Sequence, residues 1–304
     1  MKKNIEKELF GIKKNISLSQ YTTFKIGGKT RYFFRAKNKE GLIKAVKLAK
    51  KYSLPFFILG SGSNILASDR KYEGLVIKAE SNKCFIKKTL MYCESGLLLS
   101  QAVKGAAKAS LSGLEWAAGI PGTMGGAIQG NAGAFGSSMK NIVKEVETFD
   151  NGKIRIFKNK RCNFSYRNSV FKHKSHLIIL SAQLRLKKGS KKDIVGRMKE
   201  ILILRKEKYP LSFFSAGSVF KNQGKVLAGK LIERCGLKGK RIGGAIISKK
   251  HANFILNDRK AKAEDIIKLM ELAKEKAKRK FGIRLKEEIY LFNIDNNSKS
   301  GIIK

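Results

Sequence analysis

Short stretches of alternating and helical hydrophobic periodicity follow one another along the chain. RYFFRA (31–36), FFILG (56–60) and LVIK (75–78) have the length and apolar content of strands. Between the first two, KEGLIKAVKLAKKY (39–52) repeats its apolar positions at helical spacing and puts Leu42, Val46 and Ala49 on one face. Residues 84–94 read as a hairpin, and LLSQAVKGAAKASL (98–111) as a helix of small residues. The stretch 112–137 is too rich in glycine for a regular helix. Strands are expected at 143–149, 154–158 and 177–186. A helix opens at Asp193, a good N-cap, turns Ile194, Met198, Ile201 and Leu202 inward, and stops before Pro210. Helices at 225–235 and 263–280, closed by Gly236 and Gly282, flank strands at 242–247 and 253–257. A last strand is expected at 283–292. The pattern is that of an α+β chain with a joint near 205–212.

Composition adds a core and a charge. With 304 residues, 42% of them hydrophobic, the chain can bury about two domains and is not a disordered tail. The 51 lysines and 14 arginines stand against 23 acidic residues, a net +42. Such a surplus invites a nucleic-acid partner. Lysine, however, is a hydrated point charge without the planar fork by which arginine reads phosphates and bases. A lysine-heavy surplus spread evenly, with many Ile and Asn, equally fits an AT-rich coding genome, and composition leaves both readings open. Cys84, Cys93, Cys162 and Cys235 form no CxxC pair and no disulfide framework, so a reducing cytoplasm is expected. His173 and His176 lack acidic or thiol partners nearby, and no metal site is expected. The start, MKKNIEKELFGIKKN, has no apolar core of a secretory signal, and no apolar run is long enough to span a bilayer.

Two segments carry candidate chemistry. In PFFILGSGSNILASD (55–69) a strand runs into Gly60, Ser61, Gly62, Ser63 and Asn64, where glycine lets backbone amides approach an anion. An ordinary tight turn would look the same, and neither the Walker A pattern nor GxGxxG is present. The second segment, GLEWAAGIPGTMGGAIQGNAGAFG (113–136), interleaves glycine with Leu114, Trp116, Ile120, Met124 and Ile128. That pattern favours an ordered, partly buried loop over a flexible one. Two glycine-rich segments without lysine suit a diphosphate held by backbone amides.

These residues carry a family resemblance. LGSGSN (59–64), AAGIPGTMGGA (117–127), NAGAFG (131–136), FSYRNSVFK (164–172), SAGSVFKN (215–222) and GGAIISKKHANFILN (243–257) resemble, in that order, the UDP-N-acetylenolpyruvoylglucosamine reductase (MurB) family. The resemblance runs from Tyr21 to Phe292. It implies a two-subdomain FAD-binding module of the vanillyl-alcohol-oxidase/PCMH type, residues 1–78 and 79–205, followed by an α+β substrate-binding domain, 206–304. It further implies that NADPH reduces a non-covalent FAD, which passes hydride to C3 of UDP-N-acetylglucosamine enolpyruvate, with protonation at C2 giving UDP-N-acetylmuramate for peptidoglycan. The short interval between Tyr166 and Arg185 resembles the shorter class, without the long substrate loop.

Carried over position by position, the resemblance makes Arg167 the clamp of the substrate carboxylate, Ser218 the proton donor and Glu288 the catalytic glutamate. Glu287 next door leaves that last register open by one residue. FAD contacts are implied at Gly60, Ser61, Gly62, Ser63 and Asn64, with TTFKIGG (22–28) as the first FAD-binding segment. A second set is Gly119, Ile120, Pro121, Gly122, Thr123, Gly125, Gly126 and Ala127. Substrate contacts are implied at Tyr166, Lys221, Asn222, His251 and Asn253. Gln129, Gln223 and Tyr290 depart from the usual apolar residue, proline and arginine. The implied protein is a cytoplasmic monomer with no nucleic-acid or membrane partner. Another non-covalent FAD oxidoreductase of the same fold is the alternative, and a basic nucleic-acid-binding protein is the alternative of a different kind. No aromatic and arginine cluster of an RNA-recognition type supports the latter.

Overall fold

The computed structural model describes residues 5–294. The final ten residues of the expected third domain lie outside the described residues.

The first layer is a four-stranded sheet of β1 (Lys13–Ser17), β2 (Lys29–Ala36), β3 (Phe56–Leu59) and β4 (Tyr72–Ala79), in the order β1-β2-β4-β3. β2 and β3 both run parallel to β4, and the crossover between them contains α1 (Lys39–Lys51). Parallel neighbours need such a crossover. α1 starts at Asn38, whose side chain accepts from the Gly41 N–H, and buries Leu42, Val46 and Ala49 as its periodicity requires.

The second layer is a five-stranded antiparallel sheet. It is built from β5 (Cys84–Lys87), β6 (Leu90–Glu94), β7 (Val143–Asp150), β8 (Lys153–Lys158) and β9 (Leu177–Arg185), ordered β8-β7-β9-β6-β5. Between β6 and β7 lie α2 (Leu99–Lys108) and the glycine-rich stretch. That stretch contains one short helix, α3 (Met124–Gln129), against the expectation that glycine would exclude one. Thr123 caps α3 through Oγ1, accepting from Gly126 N–H at 3.4 Å, and Met124, Ala127 and Ile128 bury its inner face.

α4 (Lys191–Lys208) corrects two details of the sequence reading. Its cap is Ser190, accepting from the Asp193 N–H at 3.4 Å, so Asp193 lies inside the first turn. Ile194 and Ile201 are buried as expected, but Leu202 is 45% exposed. Two buried residues seven positions apart, with Met198 half-buried between them, mark the narrow strip along which α4 meets the second layer.

The third unit packs α5 (Ala228–Arg234) and α6 (Ala263–Phe281) against a small antiparallel sheet, β10 (Arg241–Ile242), β11 (Ala245–Ile247) and β12 (Ile255–Asn257). The expected strand at 242–247 is broken by Gly243-Gly244, where a Cβ on Gly244 would sit 2.4 Å from the Arg259 carbonyl oxygen. The expected long last strand shrinks to Tyr290–Phe292. It leaves the third unit and pairs in parallel with Ile65–Ala67 of the first.

Candidate active site

The loop after β3 is held open by its own carbonyls. Lys78 Nζ donates to Gly60 O at 2.7 Å, Thr23 N–H to Gly62 O at 3.1 Å, and Tyr290 N–H to Asn64 O at 2.8 Å. Gly62 has φ +68°, and a Cβ there would lie 2.2 Å from Tyr21 O. Among the described residues no protein acceptor meets the N–H groups of Ser61, Gly62, Ser63 or Asn64. Four successive free amides form a concave cluster of positive dipole ends, suited to an anion such as a diphosphate.

The second loop closes on the first. Ser63 Oγ donates to Pro121 O at 2.9 Å, and Ser61 Oγ donates to Ser63 Oγ at 3.1 Å. A Cβ on Gly60 would stand 2.5 Å from Thr123 Oγ1, and one on Gly125 would stand 2.9 Å from the Ser95 Cβ. Gly60, Gly62 and Gly125 therefore make room for neighbouring protein groups, the Thr123 hydroxyl, the Tyr21 backbone and Ser95. The sequence predicts that their missing side chains serve the approach of a ligand; internal packing accounts for them as well. In the second loop the amides of Ile120, Met124, Gly125, Gly126 and Ala127 are internally bonded. Those of Gly119, Gly122 and Thr123 meet no acceptor among the described residues.

Tyr166 and Arg167 are the central residues of a tight turn closed by reciprocal 3.1 Å hydrogen bonds between Ser165 and Asn168. Arg167 has φ +53°, a conformation uncommon outside glycine. It is held there from both sides: Asn131 Nδ2 donates to Ser165 O at 2.8 Å, and Lys172 Nζ to Arg167 O at 3.3 Å. The turn borders a cavity of about 380 Å³ lined by Asn131, the segment 133–138 and Tyr166, a volume in the range of small-molecule sites.

Arg167 Nε donates to Glu288 Oε1 at 2.5 Å across 121 positions of sequence. Among the described residues its terminal nitrogens are not hydrogen-bonded to protein, which leaves that edge of the guanidinium for a second carboxylate. Burial pushes the Glu288 carboxyl above its usual range, with Arg167 opposing the shift. Glu287 faces the other way and pairs with Lys274.

Ser218 begins a central extended segment of the third unit. On one side it bridges Phe254; on the other, Glu288 N–H donates to Val219 O at 2.7 Å and Lys221 N–H to Lys286 O at 2.8 Å. The Ser218 and Glu288 backbones thus lie on neighbouring segments, with Gly217 at φ +78° turning the chain just before Ser218. Asn222 N–H donates to Tyr166 Oη at 3.3 Å, and Asn222 Oδ1 accepts from Ala228 N–H at 3.0 Å.

His251 and Asn253 are not gathered with these residues. Asn253 is buried, with both ends of its amide bonded to the Phe220 backbone, Oδ1 at 3.0 Å and Nδ2 at 2.8 Å. His251 packs between Tyr209 and Phe254, ring centroids 5.4 and 5.1 Å away, and burial lowers its pKa. Asn253 holds the Ser218 segment in place through Phe220 and Val219, and neither residue lines the cavity beside Tyr166.

Three basic residues near the loops escaped the sequence reading. Lys78 interrupts the apolar run LVIK and reaches Gly60 from behind, its pKa lowered by burial. Lys172 ends the FSYRNSVFK segment. Arg205 stacks its guanidinium 5.1 Å from the Tyr209 ring, and its buried Nε has no partner. A Cβ on Gly119 would lie 3.2 Å from that Nε, so an unsatisfied donor stands beside a free amide. Of these, only Lys78 left a sequence signal, a charge inside a buried strand. Among the described residues no His, Cys, Asp and Glu group could hold a metal ion.

Residues 209–292 match the family model of the UDP-N-acetylenolpyruvoylglucosamine reductase C-terminal domain, and residues 30–157 that of an FAD binding domain. The chain is 40% identical over 280 residues to UDP-N-acetylenolpyruvoylglucosamine reductase of Clostridium novyi, covering 91% of each. It is 44% identical over 280 residues to the protein of that name from Caldicellulosiruptor bescii, covering 91% of this chain and 89% of the relative. The crystal structure of UDP-N-acetylenolpyruvylglucosamine reductase (MurB) from Thermus caldophilus superposes with a TM-score of 0.80 at 33% identity, covering 91% of this chain and 97% of that one.

Proposed function

The chain belongs to the UDP-N-acetylenolpyruvoylglucosamine reductase family, and on that premise we propose that it reduces UDP-N-acetylglucosamine enolpyruvate to UDP-N-acetylmuramate with NADPH and non-covalent FAD. The observation that carries this reading is the Arg167–Glu288 ion pair, 2.5 Å long, in one molecule with a loop of four free amides. The free N–H groups of 61–64, those of Gly119, Gly122 and Thr123, and the unpartnered Arg205 Nε are a donor set that fits the FAD diphosphate. When bound, FAD supplies two-electron chemistry, carrying a hydride from NADPH to the enolpyruvyl C3.

The protein's own groups handle the charge and the proton. Arg167 binds the enolpyruvyl carboxylate through its free edge and stabilises the negative charge that develops as hydride arrives at C3. Glu288, on Nε, fixes the guanidinium plane. Ser218 Oγ donates a proton to C2; a hydroxyl suffices because the enolate it meets is strongly basic. Lys221 and Tyr166 flank the same edge and suit the sugar diphosphate. Residues 1–78 and 79–205 act as the two FAD-binding subdomains and 206–304 as the substrate domain, a division supported by three buried clusters each drawn mainly from one of them, with Phe149, Ile178 and Leu180 joining the first and Phe24, Ile26 and Leu66 joining the third. The four free cysteines and a soluble nucleotide-sugar substrate support a cytoplasmic setting.

The test is a pair of half-reactions. The purified protein should carry flavin absorbance, lose it with NADPH, and regain it with the enol ether but not with other acceptors. Ser218→Ala should keep reduction by NADPH while slowing reoxidation by the enol ether at least about a hundredfold. Equal loss of both halves would remove Ser218 as the proton donor, and a protein that takes up no FAD would overturn the whole reading.

A further inference from the structure

We propose that Cys84 and Cys93 form a reversible dithiol–disulfide site, oxidised by small anionic disulfides such as glutathione disulfide. The two cysteines are directly opposed across the β5–β6 hairpin, with sulfurs 3.9 Å apart. The Glu94 N–H donates to Lys83 O, which makes 83–94 a hydrogen-bonded pair and 84–93 a non-hydrogen-bonded one. Pairs of that second kind bring their α-carbons to about 4.5 Å and their side chains closest together. That separation lies inside the range a disulfide spans, about 4.4–6.8 Å. Closing the sulfurs to bonding distance asks for side-chain rotation and a small shift of β5. As the edge strand of its sheet, β5 is tied on one side only.

The two thiols are unequal. Cys84 is exposed and Cys93 is buried. The Cys93 thiol hydrogen-bonded to Cys84 favours thiolate there, and the same bond, with burial, keeps Cys93 protonated. Lys83, Lys87 and Lys88 along the hairpin attract an anionic reagent. Cys84 thiolate attacks one sulfur of the small disulfide, forming a mixed disulfide and expelling one thiolate. The Cys93 sulfur then attacks the Cys84 sulfur, its proton passing to the second departing thiolate. The protein dithiol loses two electrons and two protons, and one small disulfide becomes two small thiols.

The holoenzyme is incubated with glutathione disulfide, quenched in acid, and alkylated after denaturation. Two of its four cysteines, Cys162 and Cys235, should take up the alkylating reagent, and digestion should yield one peptide pair joining 84 to 93. Dithiothreitol should restore all four. Cys93→Ser should stop at a stable glutathione adduct on Cys84. Cys84→Ser, a change at an exposed edge position, should give neither adduct nor cross-link at the hairpin. Four alkylated cysteines in the treated wild-type protein, a persistent adduct on wild-type Cys84, or a bridge through Cys162 or Cys235 would each overturn the proposal.

Discussion

Glu287 and Glu288 are neighbours with opposite fates, one paired with Lys274 and the other with Arg167. Sequence could name the pair but not the register, because adjacent residues of an extended segment point to opposite faces and both are glutamate. The environments separate them. Glu288 is pushed above the ordinary carboxylate range by burial. Below about pH 4.3, folded and unfolded chains both hold its proton and its contribution to stability is complete. As pH rises through the higher folded value, the unfolded carboxyl has already ionised while the folded one must ionise against burial, and that contribution is lost. Glu288→Gln cannot ionise and should lack this loss. Its Tm relative to wild type should therefore climb between about pH 4 and pH 7 in parallel thermal melts; a constant difference would deny the raised pKa. His251 and Asn253 show the limit of motif reading at this scale. A motif reports that residues matter together, not whether a side chain faces the ligand or the backbone that carries it.

The elements with strong periodicity, α1, α6 and the strands of both sheets, were legible because burial on one face dictates their pattern. Irregular pieces were not. The 283–292 segment reads as one strand, but its pairing is divided between the 218–221 segment and Ile65–Ala67, and only tertiary contacts decide that. The Gly60–Asn64 loop depends on one conformation, and Gly62→Ala tests it. A side chain at φ +68° with its Cβ 2.2 Å from Tyr21 O costs at least about 1 kcal/mol in backbone conformation alone. FAD affinity by fluorescence titration should fall tenfold or more while far-UV circular dichroism stays native. Asn253→Ala tests the scaffold under Ser218. It strips the Phe220 N–H and C=O of their side-chain partners inside the protein, worth roughly 2–6 kcal/mol at about 1–3 kcal/mol for each orphaned group. Urea melts should show that loss, and turnover should drop although Asn253 does not line the cavity.

For the molecule as a whole, the +42 charge neither revealed the fold nor named the activity. A handful of positive groups at the loops has a use, while most lysines lie on solvent faces such as the outer side of α6. Their collective field still acts on anionic ligands. KM for NADPH and for the nucleotide sugar should rise several-fold between low salt and about 0.5 M NaCl, where the Debye length falls below 5 Å, with kcat nearly constant. A fall in kcat with KM unchanged would trace the salt effect to the reaction step instead.

The return of Tyr290–Phe292 to the first sheet has a temporal side. Asn64, whose carbonyl anchors one end of the amide-lined loop, receives that anchor from Tyr290 and donates its own Nδ2 to Glu288 O, 224 residues downstream. During synthesis the N-terminal sheet can pair its own four strands long before this partner exists. The loop between them reaches its final shape only when residues 288–292 have been translated and have left the ribosome. A nascent chain stalled short of that point would have its first sheet paired yet be unable to retain its flavin, so uptake of the cofactor waits on a segment more than 220 residues downstream of the loop it completes.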